Sequence, residues 1–382
     1  MKMKRGLVIV LTASLAFFSV VLVRFSIPSL LPYMVGRNGI NTVMGGLLIS
    51  FLWIGYTIFQ IIGGLMVNRY GYNVVLYVLI LIAVLNALYP IIITQYYLLL
   101  LVQFVMGSLL AITYVALISI VLSNYGRGGL GAGIYQSMFF LASSISIILS
   151  PLLFSINKYI PFIAFSTLVA LSIIPLVKVP GNRRINSTIT IGPENMGILG
   201  MGFIRLSSGF SYLGFLSWST YYVVHVLNVS PSLSGLYAFL ASIMGSAGAI
   251  IGGYLGDRAG YTWPSILSSL SLAIIVSIIP RSSVIYLLML LMLLLGFFYG
   301  FYAAPSIAIS KFTTNIGATS GFLNFMSQLG GSVSPYVIGF LLQYYNFTET
   351  LLAIGIISMV LVVIGAILLF NDRNLLNKIY RQ

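Results

Sequence analysis

Twelve runs of apolar residues, each long enough to cross a lipid bilayer, take up most of this chain of 382 residues. A bilayer core is about 30 Å thick, so a crossing helix needs roughly 20 apolar residues. The runs fall at 7–33, 43–66, 73–94, 97–122, 131–155, 160–178, 197–225, 233–255, 263–279, 283–309, 316–343 and 348–370. The expected fold class is therefore an all-α membrane protein of twelve transmembrane helices. Composition closes off the alternatives. With 60% hydrophobic and 6% charged residues, against about 25% charged in ordinary domains, no compact soluble shape could hide these side chains from water. Lys2, Lys4 and Arg5 ahead of the first run also suit a secretory signal peptide. That run is too long for one, lacks a convincing cleavage site and leads straight into further spans.

Lysine and arginine resist translocation and so report orientation. Thirteen of the 18 basic residues fall on one side: Lys2, Lys4, Arg5, Arg69, Arg127, Lys178, Arg183, Arg184, Arg258, Lys311, Arg373, Lys378 and Arg381. Arg37, Lys158 and Arg281 fall on the other. The bias puts both termini in the cytoplasm, in agreement with an even number of spans. The longest polar stretch, with Pro180, Gly181, Arg183, Arg184 and Glu194, separates spans six and seven. The expected organisation is a six-helix bundle over 1–178, a cytoplasmic linker over 179–196, and a second six-helix bundle with a short tail over 197–382. The formal charge of +14 would suggest nucleic acid in a soluble protein. Here the basic residues are thinly spread and no apolar-free face exists to carry a duplex, so nucleic acid is not an expected partner. The absence of cysteine, one histidine and four acids leave no thiolate metal site, no cofactor motif and little for acid–base chemistry, so neither an enzyme nor a metal site is expected.

The two halves repeat. After span two come Gly64, Asn68, Arg69, Gly71 and Tyr72; after span eight come Gly253, Asp257, Arg258, Gly260 and Tyr261. Both fit G-x-x-x-[D/N]-R-x-G-Y, follow a second glycine (Gly63, Gly252), and lie 189 residues apart. A helix end favours glycine and an inner loop favours arginine, which explains either copy alone. It does not readily explain the same pattern at matching places in two six-span halves, which are expected to be pseudo-symmetric.

This pattern resembles the signature loop of the major facilitator superfamily of secondary transporters, over the whole chain. The resemblance implies that the loop helps hold one conformation at the cytoplasmic ends of the helices. Asp257 can sit at the N-terminus of span five, entered by Arg127, Gly128 and Gly129, where the helix dipole favours negative charge. Asn68 stands where the family usually has Asp, so its own latch should be weaker. Glycine and proline in span five (Gly131, Gly133, Pro151) and span eleven (Gly317, Gly321, Gly330, Gly331, Pro335, Gly339) are similar to the family pattern, and small residues let helices pack closely in lipid. Where many members carry Arg-x3-Gly in span four, this chain has Gln103 and Gly107.

Arg24 and Arg205 lie inside expected spans, at a cost of roughly 2.5–3.5 kcal/mol on insertion scales. No acid lies inside a span to neutralise Arg24, so a guanidinium facing a central cavity would attract an anion. It could instead snorkel to the interface or bond to backbone carbonyls. Arg24 with Pro32, Tyr33 and Met34 resembles span one of the organophosphate:phosphate antiporter and anion:cation symporter families, which implies contact with an anionic substrate. Span seven, with Tyr212, Ser217, Trp218, Ser219 and Tyr221, resembles the organophosphate segment, with Tyr212 and Thr220 replacing its arginine and proline. Arg205, seven residues before Tyr212, would share its face ~10 Å nearer the cytoplasm, as a second station for the anion or as an anchor to headgroups. Gln136, Asn324 and Gln328 are the expected polar groups of the cavity, in a wider set with Gln60, Gln103, Tyr114, Tyr299 and Tyr302.

The function expected from all this is transport of a small organic anion, such as a monocarboxylate or acidic sugar, across the plasma membrane by alternating access. Exchange or facilitated diffusion is favoured over carboxylate-coupled proton symport. Membrane lipid surrounds the protein and a monomer suffices. The alternatives are efflux of hydrophobic or cationic drugs, uptake of a neutral sugar, and a non-transporting receptor or scaffold.

Overall fold

The computed structural model describes residues 2–34, 42–179, 193–225, 231–282 and 285–380. Most of the expected linker, Arg37, Arg183, Arg184, and the side chains of Pro32, Tyr33, Thr220, Tyr221 and His225 lie outside that description. The described residues contain helices and no strand. In order they are α1 Lys2–Met34, α2 Thr42–Tyr70, α3 Val74–Ile92, α4 Tyr96–Asn124, α5 Gly128–Ile156, α6 Ile160–Leu176, α7 Met196–Ser208, α8 Gly214–His225, α9 Pro231–Ala259, α10 Thr262–Ile278, α11 Ile285–Ala308, α12 Ile316–Leu341, α13 Phe347–Asn371 and α14 Arg373–Tyr380. A π-helical turn, Gly209–Leu213, joins α7 to α8. Taken as one span, α7–α8 and the other helices through α13 correspond to the twelve apolar runs; among the described residues, eight helices are long and apolar enough by themselves to cross a membrane.

The chain forms two compact units, 1–126 with 138–191 and 127–137 with 192–382. The first turns of α5 thus pack with the second unit and the rest of α5 with the first. Inside each unit the tightest pairing uses the same device. On α2, a side chain at Gly55 would strike the Phe104 carbonyl of α4, and one at Gly107 of α4 would strike the Leu52 carbonyl. On α9, a side chain at Gly248 would strike the Phe297 carbonyl of α11, and one at Gly300 of α11 would strike the Gly245 carbonyl. Lipid supplies no hydrophobic drive between helices, so close backbone approach through small residues is what holds such pairs.

The sequence repeat is also a backbone repeat. Gly71 and Gly260 have φ of 75° and 81° and are the positive-φ glycines among the described residues. Each follows the last residue of its helix, α2 or α9. A left-handed residue at that place ends a helix, and only glycine takes it without a Cβ penalty.

Candidate functional site

Three faces of α2 determine what surrounds Arg24. Ile54, Ile58 and Ile62 are exposed, as expected of a lipid-facing stripe. Gly55 and Gly63 meet Phe104 and Ile112 of α4. Trp53, Tyr56, Thr57 and Gln60, at i, i+3, i+4 and i+7, fall on the remaining arc. Arg24 of α1 sits against that arc, only 4% exposed. Its Cζ lies 3.9 Å from the centroid of the Tyr56 ring and 4.2 Å from that of Trp53, two rings set 81° apart. Phe25 and Phe139 stand farther off, at 5.9 and 5.6 Å. The guanidinium therefore occupies an aromatic corner. Its Nε and Nη2 are buried and have no hydrogen-bond partner. Those two nitrogens form one edge of the guanidinium, whose parallel N–H bonds match the two oxygens of a carboxylate. A desolvated cation–π contact is worth about 2 kcal/mol, whereas burying an ion costs several. The rings alone do not compensate the charge.

Arg205 of α7 has the opposite surroundings. It is 2% exposed and each of its three nitrogens donates: Nε gives to the Leu323 carbonyl at 2.7 Å, Nη1 to Ser306 Oγ at 2.6 Å and the Ala303 carbonyl at 3.4 Å, and Nη2 to Asn324 Oδ1 at 3.1 Å. The side chain is neither free for an anion nor reaching for headgroups; it ties α7 to α11 and α12. The reason lies in α11 and α12, whose acceptors no spacing along α7 reveals. The π turn also breaks the expected register between Arg205 and Tyr212, because one turn now holds more than 3.6 residues. Tyr212 is stacked on Tyr299 of α11, with centroids 3.8 Å apart and planes 9° apart. On α12, Asn324 keeps a buried Nδ2 without a partner and Gln328 a buried Oε1 without one. The structure thus brings Arg205 to Asn324, and Tyr212 to Tyr299. Gln136 of α5 is buried and has a partner of its own. Gln103 accepts from Tyr89 Oη at 2.7 Å, and Trp218 gives Nε1–H to the Pro335 carbonyl at 3.0 Å.

All four acids of the chain accept from backbone N–H groups, three of them at helix starts. Asp257 accepts from the backbone N–H of Gly129 and of Leu130, both at 2.7 Å, at the start of α5. Gly129 and Gly253 allow this, since a side chain on either would strike the other's carbonyl, and Asp257 stands one turn beyond Gly253. Tyr261 Oη also donates to Asp257 Oδ1, at 2.6 Å; burial, and then the adjacent carboxylate, push this phenol above its usual range. Asp372 accepts from Gly197 N of α7 and from Leu375 N of α14, each at 3.0 Å. Glu194 accepts from Thr314 N at 2.8 Å and Thr314 Oγ1 at 3.0 Å, just before α12. Glu349 completes a capping box with Asn346 at the start of α13. Negative charge is favoured at these ends by the unpaired N–H groups and the helix dipole. Asn68, in the first copy of the repeat, makes no side-chain hydrogen bond among the described residues, and Gly64 beside it is buried. Arg258 lies over the Tyr254 ring at 4.6 Å and Arg69 over that of Tyr70 at 5.5 Å, while Arg127 is exposed.

Sequence reasoning missed Trp53 and Tyr56, although their spacing opposite the isoleucine stripe marks the arc. It also missed the bond of Glu194 to Thr314 and the cap that Asp372 places on α7, both of which depend on distant backbone.

Comparison with known proteins agrees with this architecture. A sequence model described as Major Facilitator Superfamily matches residues 13–275 and 201–378. Over 152 residues the chain is 28% identical to the "Probable galactarate/D-glucarate transporter GarP" of Escherichia coli K12, a stretch covering 37% of this chain and 34% of the relative; the protein of the same name from strain O157:H7 matches equally. The match thus spans about a third of these relatives' length. The crystal structure of the human organic anion transporter MFSD10 (TETRAN) superposes with a TM-score of 0.77 at 13% identity, over 95% of this chain and 99% of that one.

Proposed function

The chain belongs to the Major Facilitator Superfamily of multi-pass membrane transporters, and from that premise we propose that its cargo is a small organic anion, a monocarboxylate or acidic sugar, moved by alternating access. The observation that carries this reading is the buried Nε and Nη2 edge of Arg24, which has no partner in its aromatic corner. An uncompensated buried charge is costly, and a carboxylate from the cargo would lift that cost each time the site fills. The relative named as a galactarate/D-glucarate transporter and the organic anion transporter of the same fold support the choice of anion. Cationic cargo finds no counterpart, because all four carboxylates are committed to backbone amides, three of them at helix N-termini and Glu194 at Thr314 ahead of α12. The same commitment leaves no spare carboxylate to carry a proton, which supports exchange or facilitated diffusion.

In this reading both termini are cytoplasmic, lipid covers the apolar faces and one chain is the transporting unit. Asp257 on the start of α5 is a conformational latch, and Gly64, Asn68, Arg69, Gly253, Arg258 and Arg127 belong to the same gating loops. Arg24 is the proposed anion contact of the first unit; Tyr212, Gln136, Asn324 and Gln328 are, separately, the cargo contacts proposed for the second. Arg205 serves by positioning Asn324.

The test is counterflow into proteoliposomes loaded with single solutes from a panel of carboxylates, neutral sugars and lipophilic cations. Carboxylates alone should support exchange, and Arg24→Gln should abolish it. Arg24→Lys should not restore it, because a lysine offers no paired edge. Wild-type exchange by Arg24→Gln, or exchange of cations, would overturn the proposal.

A further inference from the structure

We infer that Thr57 and Gln60 form a second recognition point beside Arg24 that reads hydroxyl groups, so that the cargo is a hydroxylated carboxylate. The inference rests on the anionic reading of Arg24 and adds a residue pair to it. Gln60 is 0% exposed, and both its Nε2 and its Oε1 lack a partner. Thr57 is 8% exposed, and its Oγ1 lacks one too. Such hydroxyls usually turn back onto the carbonyl a turn earlier. Ser108, Thr113 and Ser119 of the neighbouring α4 all do so, at 2.9, 2.9 and 2.7 Å. Thr57 does not.

The position of the pair is as informative as its chemistry. Thr57 and Gln60 share the arc of α2 that carries Trp53 and Tyr56, against which Arg24 rests. Gln60 lies four residues past Tyr56, about 6 Å along the helix axis. A carboxylate held by Arg24 thus has an amide and a hydroxyl within the length of a short carbon chain. An amide offers two N–H donors and a carbonyl acceptor, and a hydroxyl both donates and accepts, so one hydroxylated carbon chain can satisfy both kinds of group. A second carboxylate would face the Oε1 lone pairs with no proton to give. A bare hydrocarbon would leave three buried polar atoms unsatisfied, which is where a site rejects the analogue that lacks a hydroxyl most strongly.

The experiment uses the full chain in lipid nanodiscs, with binding read by titration calorimetry. The probes are two pairs matched in carbon number, D-gluconate against hexanoate and D-glucarate against adipate. Wild type should bind the hydroxylated member of at least one pair ten-fold or more tightly. Gln60→Met with Thr57→Val should bring that ratio near one by weakening the hydroxylated member alone. Gln60→Met by itself, nearly isosteric, should lower the ratio about three-fold or more; it guards against misfolding of the double variant. Equal binding within both pairs in wild type, no binding of any probe, or an equal loss of both members in the variants would overturn the inference. Arg24→Gln separates the two readings. Loss of all four probes there upholds the anion site, whereas retained binding sinks the anion site even where the hydroxyl ratio persists.

Discussion

Replacing Asp257 with asparagine should free the start of α5. The carboxylate accepts three hydrogen bonds, from Gly129 N and Leu130 N at 2.7 Å and from Tyr261 Oη at 2.6 Å. Asparagine keeps one carbonyl oxygen and turns an NH2 group toward the remaining backbone donor. At least one charge-assisted bond is lost, worth about 1.5–3 kcal/mol. The favourable meeting of charge with helix dipole goes as well, about 0.3–1 kcal/mol at a partly exposed site. Asp257 is only half-buried, so the total belongs at the lower end, about 2–3 kcal/mol. At 1.36 kcal/mol per decade that is roughly 30- to 150-fold in local opening. Hydrogen exchange followed by mass spectrometry on the peptide spanning 127–133 reads this directly, because exchange tracks local opening. Gly129→Ala should give a similar result by a steric route, since its Cβ would lie 2.9 Å from Asp257 Oδ1 and against the Gly253 carbonyl. Asp372→Asn should leave 127–133 protected and speed exchange at 197 and 375. Unchanged exchange at 129 and 130 in Asp257→Asn would refute the claim that this carboxylate holds the start of α5.

Three further outcomes can be checked. Arg205→Lys cannot reach the Leu323 carbonyl, Ser306 and Asn324 together, so about 2–4 kcal/mol of charged hydrogen bonding is lost and the thermal midpoint in detergent should drop clearly; an unchanged midpoint would return Arg205 to the cargo contacts. For Tyr261 the sign follows from its raised pKa: the unfolded phenol ionises near pH 10 while the folded one stays protonated, so its contribution is complete below about pH 10 and is lost as pH climbs through the folded value. Tyr261→Phe should then flatten the decline in thermal midpoint above pH 10 and change nothing in its slope between pH 6 and 9. Gly107→Val would drive a side chain into the Leu52 carbonyl, a backbone clash no rotamer can relieve, and the monodisperse peak on size-exclusion chromatography should be lost.

What the sequence makes legible here is what lipid enforces. Ile160–Leu176 and Thr262–Ile278 fall within two residues of the expected sixth and ninth spans, because a run of apolar residues has one stable use in hydrocarbon. The repeat was legible for a similar reason: a backbone position that must take φ near 75–81° strongly favours glycine and so leaves a mark in the sequence. The π turn at Gly209–Leu213 leaves none. It is set by neighbours, with Gly209 pressed on Ser327 and Gly330 on the Leu206 carbonyl, and these approaches are known only once α12 has been placed. The bonds of Glu194 to Thr314 and of Asp372 to the start of α7 were hidden for the same reason, since each reaches backbone more than a hundred residues away.

The two intramembrane arginines show where sequence reasoning must stop. Both interrupt apolar runs, both lack an acid nearby in sequence, and the cost of inserting either is the same. What separates them is the supply of oxygen atoms. Arg205 is met by two carbonyls, a serine and an asparagine, so its charge is spread over acceptors that belong to the protein in every state that keeps α7, α11 and α12 together. Arg24 is met by rings, which attract a cation through their faces but offer the Nε and Nη2 hydrogens no lone pair in their own plane. A site of the second kind is incomplete by construction, and what completes it must bring two oxygens and negative charge. Exchanging the environments tests that argument. A Trp53→Glu variant would supply the missing acceptor from α2, and it should raise thermal stability while abolishing carboxylate exchange. Exchange that survived a glutamate beside Arg24 would mean that the guanidinium's free edge is not where the anion goes.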